Sequence, residues 1–159
     1  MHYLTSKEVN FLELKANQIR QSIIEMLVAA GSGHTAGPLG MADVFALLYF
    51  KVLQHDPKNP LWEDRDRLIL SNGHICPVLY ATLAHSGYFP IEELLTLRKF
   101  GSRLQGHPHR FELPGIETSS GPLGSGLSQA IGMALAIRID EDRTTQRFIY
   151  CSLGDGELN

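Results

Sequence analysis

The stretch Phe148-Ile149-Tyr150-Cys151-Ser152-Leu153-Gly154-Asp155-Gly156 decides the fold. Its β-branched and aromatic residues suit a pleated strand, and the Gly-Asp-Gly behind it leaves a carboxylate among unobstructed backbone at the strand's carboxyl end. Working back, Leu127 to about Ile139 predicts an apolar helix and Asp140 to Gln146 a polar turn. Leu68-Ile69-Leu70 predicts a second, buried strand that ends in Ser71-Asn72-Gly73-His74. Strands alternating with helices predict an α/β fold, a parallel sheet flanked by helices. Only two strands can be read, so the sheet is expected to be incomplete and to continue beyond Asn159.

Further out, Leu12, Ile19, Ile23, Met26, Leu27 and Ala30 recur at three- and four-residue steps, which predicts a long helix. Thr5 with Glu8 has the spacing of a capping box, and Gly31 stops the pattern. After the glycine-rich segment 31–37, Pro38 suits the first turn of an apolar helix running to about Leu53. A helix is expected up to Ser86 with Gly87 as its stop, and an amphipathic one from Ile91 to Phe100 ended by Gly101. The region from Gly101 to Gly126, with six glycines and three prolines, predicts a long loop, a length that in a compact domain implies either a function or a misassigned element.

The 159 residues fit one domain able to bury ~70% of its unfolded surface. A net charge of -3 argues against a nucleic-acid-binding coat. The two cysteines, Cys76 and Cys151, offer neither a disulfide framework nor a zinc set, which suits a reducing cytoplasm. No apolar run is long enough to cross a bilayer, and the first residues lack a signal-peptide layout, so no membrane is expected.

Three of the seven histidines follow a glycine directly: His34, His74 and His107. Each falls in a loop or at a strand end, where parallel α/β sheets place their ligands, so the trio reads as functional. Ser119-Ser120-Gly121-Pro122-Leu123-Gly124-Ser125-Gly126 precedes a helix and could present backbone N–H groups to a diphosphate, although as a bare glycine-rich loop it reads equally as a connector. Asp155 offers a magnesium ion one oxygen ligand, and by itself also fits an Asp-Gly turn. His107-Pro108-His109 has metal-like spacing but no cysteine nearby, and Asp64-Arg65-Asp66-Arg67 reads as a surface ion-pair turn.

Taken in order, Ser32-Gly33-His34, Asp64-Arg65-Asp66-Arg67 with Ser71-Asn72-Gly73-His74, Gly106-His107-Pro108, Gly121-Pro122-Leu123-Gly124 and Gly154-Asp155-Gly156 resemble the thiamine diphosphate-binding half of transketolases, from about Leu14 to the last residue. The resemblance implies a thiamine diphosphate-binding fold, with residues 1–159 the N-terminal part of the diphosphate-binding domain. It implies that Gly121, Pro122 and Leu123 lie along thiamine diphosphate, that Asp155 is the Mg2+ ligand holding its diphosphate, and that Gly156 sits beside it. His74 would stand near the diphosphate and reacting centre, while His34 and His107 would handle hydroxyl protons of a donor sugar.

The implied reaction moves a two-carbon ketol unit from a ketose phosphate to an aldose phosphate. Sugar phosphates are thus the expected small-molecule partners. The protein partner would be a C-terminal pyrimidine-binding domain or a separate subunit carrying it, within a homo- or hetero-oligomer. Thr35-Ala36-Gly37 departs from the Pro-Gly pair common after the first histidine, and Asn159 is too close to Asp155 to be the family's second magnesium ligand. Other readings are a related thiamine diphosphate transferase, such as deoxyxylulose phosphate synthase or dihydroxyacetone synthase, or a non-catalytic remnant serving as an assembly module. Ser71-Asn72-Gly73-His74 with Gly106-His107-Pro108 favours transketolase over deoxyxylulose phosphate synthase.

Overall fold

A computed structural model describes residues 3–140 and 147–159. Helix α1 (Ser6–Ala30) starts as its sequence predicts: the Glu8 backbone N–H donates to Thr5 Oγ1 (3.3 Å) and the Thr5 N–H donates to Glu8 Oε2 (2.9 Å). It ends where Gly31 turns left-handed at φ 63°, which returns its N–H to the Leu27 carbonyl and which a side chain would oppose. The face carrying Ala16, Ile19, Ile23, Met26 and Leu27 is buried. Each larger apolar side chain taken from water contributes about 1.5–3 kcal/mol.

The predicted helix from Pro38 to Leu53 is interrupted. It forms α2 (Ala36–Gly40), α3 (Ala42–Leu47) and a π-helical turn over Leu48–Val52. Gly37 and Gly40 are poor helix interiors, and Gly37 lies so close to Ile75 that a Cβ there would meet Ile75 Cγ2 at 2.7 Å. Contact with the next helix therefore sets the path of this segment more than local propensity does.

Strand β1 (Arg67–Leu70) pairs in parallel with β2 (Ile149–Ser152), in register from Arg67 opposite Ile149 to Leu70 opposite Ser152. A 3-10 turn after β1 leads into α4 (Cys76–His85), buried from Cys76 to Ala84 and packed on α1, while α5 (Ser125–Asp140) packs against both strands. The core joins Ile19, Ile23 and Met26 of α1 to Phe45 of α3, Leu68 and Leu70 of β1, and Val78, Tyr80 and Leu83 of α4. Two parallel strands flanked by helices match the expected fold class. The predicted polar turn after Asp140 falls on residues 141–146, outside the described residues.

Two expectations are corrected. Ile91 to Phe100 is only a 3-10 segment over Ile91–Thr96; Leu97 leaves the helical region at ψ 128° and Arg98 is left-handed at φ 59°. That turn buries Leu94 and Leu97 and lets the Arg98 N–H donate to the Leu104 carbonyl at 2.9 Å, whereas a continued helix would not. Asp64-Arg65-Asp66-Arg67 is not a surface ion-pair turn. Asp66 is buried and its carboxylate accepts from the Gln54 N–H (2.9 Å) and the Phe148 N–H (2.7 Å), joining the approaches to both strands. Arg65 forms a two-pronged pair with Glu117 (2.9 and 2.8 Å), which anchors the long loop.

That loop is itself built in. Leu104, Leu113 and Ile116 are buried, Arg103 grips both oxygens of Glu93, and the Tyr80 hydroxyl donates to the Gln105 carbonyl at 2.8 Å. Among the described residues, no helix is long and apolar enough to cross a membrane.

Candidate functional site

Because β1 and β2 run parallel, their carboxyl ends deliver Ser71-Asn72-Gly73-His74 and Gly154-Asp155-Gly156 to one rim of the sheet. The Ser71 N–H donates to the Ser152 carbonyl (3.0 Å), and the Ser152 hydroxyl donates to Asn72 Oδ1 (3.1 Å), so the two strand ends are tied directly. A 3-10 turn, Asp155–Leu158, carries Asp155 and Gly156, both exposed.

The long loop reaches the same rim from the other side. At Gly73 a Cβ would lie 2.1 Å from Ser120 Oγ and 3.2 Å from His107 Cδ2. Glycine is therefore required for His74's loop to sit against both the 106–108 and the 119–124 segments. At Gly126 a Cβ would meet the Ser71 Cβ at 2.4 Å. The start of α5 thus packs against the end of β1, and the Gly126 N–H donates to Ser71 Oγ at 3.1 Å.

The three glycine-preceded histidines meet. The rings of His34 and His74 have centroids 5.0 Å apart, and His107 feels the charge of both. Gly33, His34, His74, Cys76, Arg98 and Gly106 line a narrow notch, and His107 lies close by against Gly73. Burial pushes His107 below the usual imidazole range, and the Arg98 guanidinium, His74 and His34 push it further, so its imidazole is neutral at pH 7. The backbone under His107 is held by the Cys76 thiol, which donates to the Gly106 carbonyl at 3.2 Å. Burial raises that thiol to about 12, so Cys76 stays protonated as a packing and donor group. His109 stands apart, its ring against Phe111.

Gly121, Pro122 and Leu123 lie on the adjoining turn, with Pro122 and Leu123 exposed. The turn is linked to β2's end by Glu157, whose carboxylate accepts from the Gly124 N–H (2.9 Å), the Gly154 N–H (2.6 Å) and the Ser71 hydroxyl (2.6 Å). Burial alone would raise the Glu157 carboxyl, but the hydrogen bonds from Ser71, Gly124 and Gly154, with the charge of His74, hold it below the ordinary carboxylate range.

Two residues of the rim carry no sequence signal of their own. Arg98 enters the notch through a left-handed turn that a basic helical pattern conceals. Glu157 sits in an acidic terminus whose partner Ser71 is 86 residues away.

A thiamine diphosphate group would need backbone donors, open glycines and a cation site. Gly121 and Gly156 face open space where a side chain would stand, and the buried Ser120 Oγ lacks a hydrogen-bond partner among the described residues. Those features fit a bound polar group. No cluster of three potential metal ligands exists among the described residues, so Asp155 fits Mg2+ only with diphosphate oxygens and waters completing its octahedron.

Comparison with known proteins agrees with this geometry. The family "Transketolase, thiamine diphosphate binding domain" matches residues 12–159. The chain is 47% identical over 146 residues to a 6-deoxy-6-sulfo-D-fructose transketolase subunit of Clostridium sp. MSTE9, covering 92% of this chain and 52% of that protein. It is 42% identical over 151 residues to transketolase 2 of Escherichia coli, covering 90% of this chain and 23% of that one. Among solved structures, the Leishmania mexicana transketolase aligns with a TM-score of 0.85 at 36% identity, over 99% of this chain and 24% of its own. The Pichia stipitis enzyme in complex with sedoheptulose-7-phosphate aligns with a TM-score of 0.87 at 36% identity, over 92% of this chain and 23% of its own. The chain therefore spans about half the length of one relative and about a quarter of the others.

Proposed function

From the premise that this chain belongs to the transketolase thiamine diphosphate-binding domain family, we propose that its rim forms part of a Mg2+–thiamine diphosphate site. The reaction served is transfer of a two-carbon ketol unit from a ketose phosphate to an aldose phosphate. The supporting observation is the meeting of His34, His74 and His107 beside the Gly121–Gly124 turn and the Gly154–Gly156 turn. Residues 1–159 are the N-terminal part of the diphosphate-binding domain. The remaining parts, including a pyrimidine-binding domain, come from further chain or a partner subunit in an oligomer. A cytoplasmic setting, rich in sugar phosphates, fits this role.

Bound thiamine diphosphate supplies an electron sink for cleaving the bond next to the donor carbonyl. Gly121, Pro122 and Leu123 would line the cofactor with backbone and the exposed side chains of Pro122 and Leu123. Asp155 contributes a carboxylate oxygen to Mg2+, and Gly156 leaves room for the diphosphate. His74, half-buried at the end of β1, orients the diphosphate side of the site. His107, neutral at pH 7, accepts a proton from a sugar hydroxyl, and His34, exposed beside His74, orients the donor.

The 47% identity to a sulfosugar transketolase subunit favours one second reading: a donor ending in a sulfonate in place of a phosphate. Both are anionic ends, and the residues proposed above handle the carbonyl and hydroxyl end common to both.

Thermal melting of the chain with its pyrimidine-domain partner, with and without thiamine diphosphate and Mg2+, tests the proposal. At one hundred times the dissociation constant, binding adds about 2.7 kcal/mol of stability. No shift would favour the non-catalytic assembly module. Turnover with 6-deoxy-6-sulfofructose against fructose 6-phosphate then separates the two donors.

A further inference from the structure

The carboxylate of Glu157 touches three of the rim's motif loops at once. Oε1 accepts from the Ser71 hydroxyl at the end of β1 (2.6 Å) and from the Gly124 N–H before α5 (2.9 Å), and Oε2 accepts from the Gly154 N–H at the end of β2 (2.6 Å). All three partners donate. The Ser71 oxygen is also engaged as acceptor by the Gly126 N–H, which aligns its hydroxyl hydrogen toward Glu157. Only an acceptor with two oxygens satisfies this set; an amide would turn an NH2 group against one of the donors.

We infer that Glu157 is a positioning residue that locks the Ser71–His74, Gly121–Gly124 and Gly154–Gly156 loops into one cofactor-receiving arrangement. The inference rests on the functional reading above and deepens it. Glu157 itself need not touch the cofactor, because its oxygens are already committed to the loops. The Gly124 and Gly154 N–H groups point inward to Glu157, which fixes the turn that carries Gly121, Pro122 and Leu123 relative to the turn that carries Asp155 and Gly156. Without the carboxylate, Gly124 and Gly154 lose their acceptor, and the two turns drift independently. Preorganised loops bind more tightly because ordering is already complete before the ligand arrives.

The test uses the chain assembled with its pyrimidine-domain partner. Calorimetric titration with thiamine diphosphate at saturating Mg2+ compares the parent protein with Glu157→Gln, Glu157→Ala, Ser71→Ala and the Ser71→Ala/Glu157→Gln double variant. Amide hydrogen exchange at Gly124 and Gly154 is followed in the cofactor-free proteins. The expected result is a dissociation constant raised tenfold or more in Glu157→Gln and Glu157→Ala, with faster exchange at both glycines. The double variant should lose less than the sum of the singles, because Ser71 acts through the same carboxylate. A purely structural contribution would lower the melting temperature while leaving affinity and coupling unchanged, and would overturn the inference. So would tighter binding by Glu157→Gln, which would mean that the carboxylate competes with the diphosphate. A parent assembly that binds no cofactor would overturn the functional reading and this inference together. A parent that binds, with variants that match it, overturns this inference alone.

Discussion

Replacing Gly73 by alanine should separate rim geometry from general stability. The added Cβ would lie 2.1 Å from Ser120 Oγ, 2.8 Å from Ser120 Cβ and 3.2 Å from His107 Cδ2. Rotating the serine hydroxyl relieves only the first contact, so the 119–121 backbone must retreat and the His107 ring must give. Overpacking of this kind costs about 1–3 kcal/mol. For a chain of this size, about 2 kcal/mol lowers the melting temperature by roughly 4–8 °C. The retreat also separates the Gly121 turn from His74, so cofactor affinity should fall at least about tenfold, equivalent to about 1.4 kcal/mol. Calorimetric melting and cofactor titration of the assembled protein measure the two effects. The control is Gly132→Ala in α5, where a Cβ meets nothing within 4 Å. It should gain about 1 kcal/mol from helix propensity and keep its cofactor affinity. Wild-type melting and affinity in Gly73→Ala would refute the close approach of these loops.

Asp66→Ala strands the Gln54 and Phe148 N–H groups and should cost about 3 kcal/mol, read by urea unfolding, with faster amide exchange at Phe148. The low folded-state value of His107 means the unfolded chain binds the extra proton first, so stability from this group is present above pH 6.5 and is lost as pH falls below it. His107→Asn should flatten that acid-side loss in unfolding measured between pH 7 and pH 5; an unchanged slope would contradict the assignment. His74→Ala should weaken cofactor or donor handling more than His109→Ala, whose ring lies on Phe111 away from the trio; equal effects in a reconstituted enzyme would count against the proposed site.

Features written in local chemistry were legible from residues alone. Thr5, Glu8 and Gly31 define both ends of α1, and the run Leu68-Ile69-Leu70 marks β1. His34, His74 and His107 each follow a glycine, a local pattern visible in the sequence, and the rings of His34 and His74 stand 5.0 Å apart. Features set by distant partners were not legible. The periodicity of Ile91 to Phe100 suggested a helix because nothing local reveals that Arg98 must turn left-handed to meet Leu104. The charges of Asp64-Arg65-Asp66-Arg67 suggested solvent exposure because Glu117 and the Phe148 N–H, their partners, lie 52 and 82 residues from Arg65 and Asp66. Glu157 belongs with them, since its partner Ser71 lies 86 residues away.

The most direct measurement is a structure of the assembled protein with thiamine diphosphate and Mg2+ bound. The predicted result places the diphosphate between the Gly121–Leu123 turn and Asp155–Gly156, with the metal on the Asp155 carboxylate and His74 within hydrogen-bonding reach. A diphosphate held elsewhere, with Asp155 free of metal and the histidine notch empty, would contradict it.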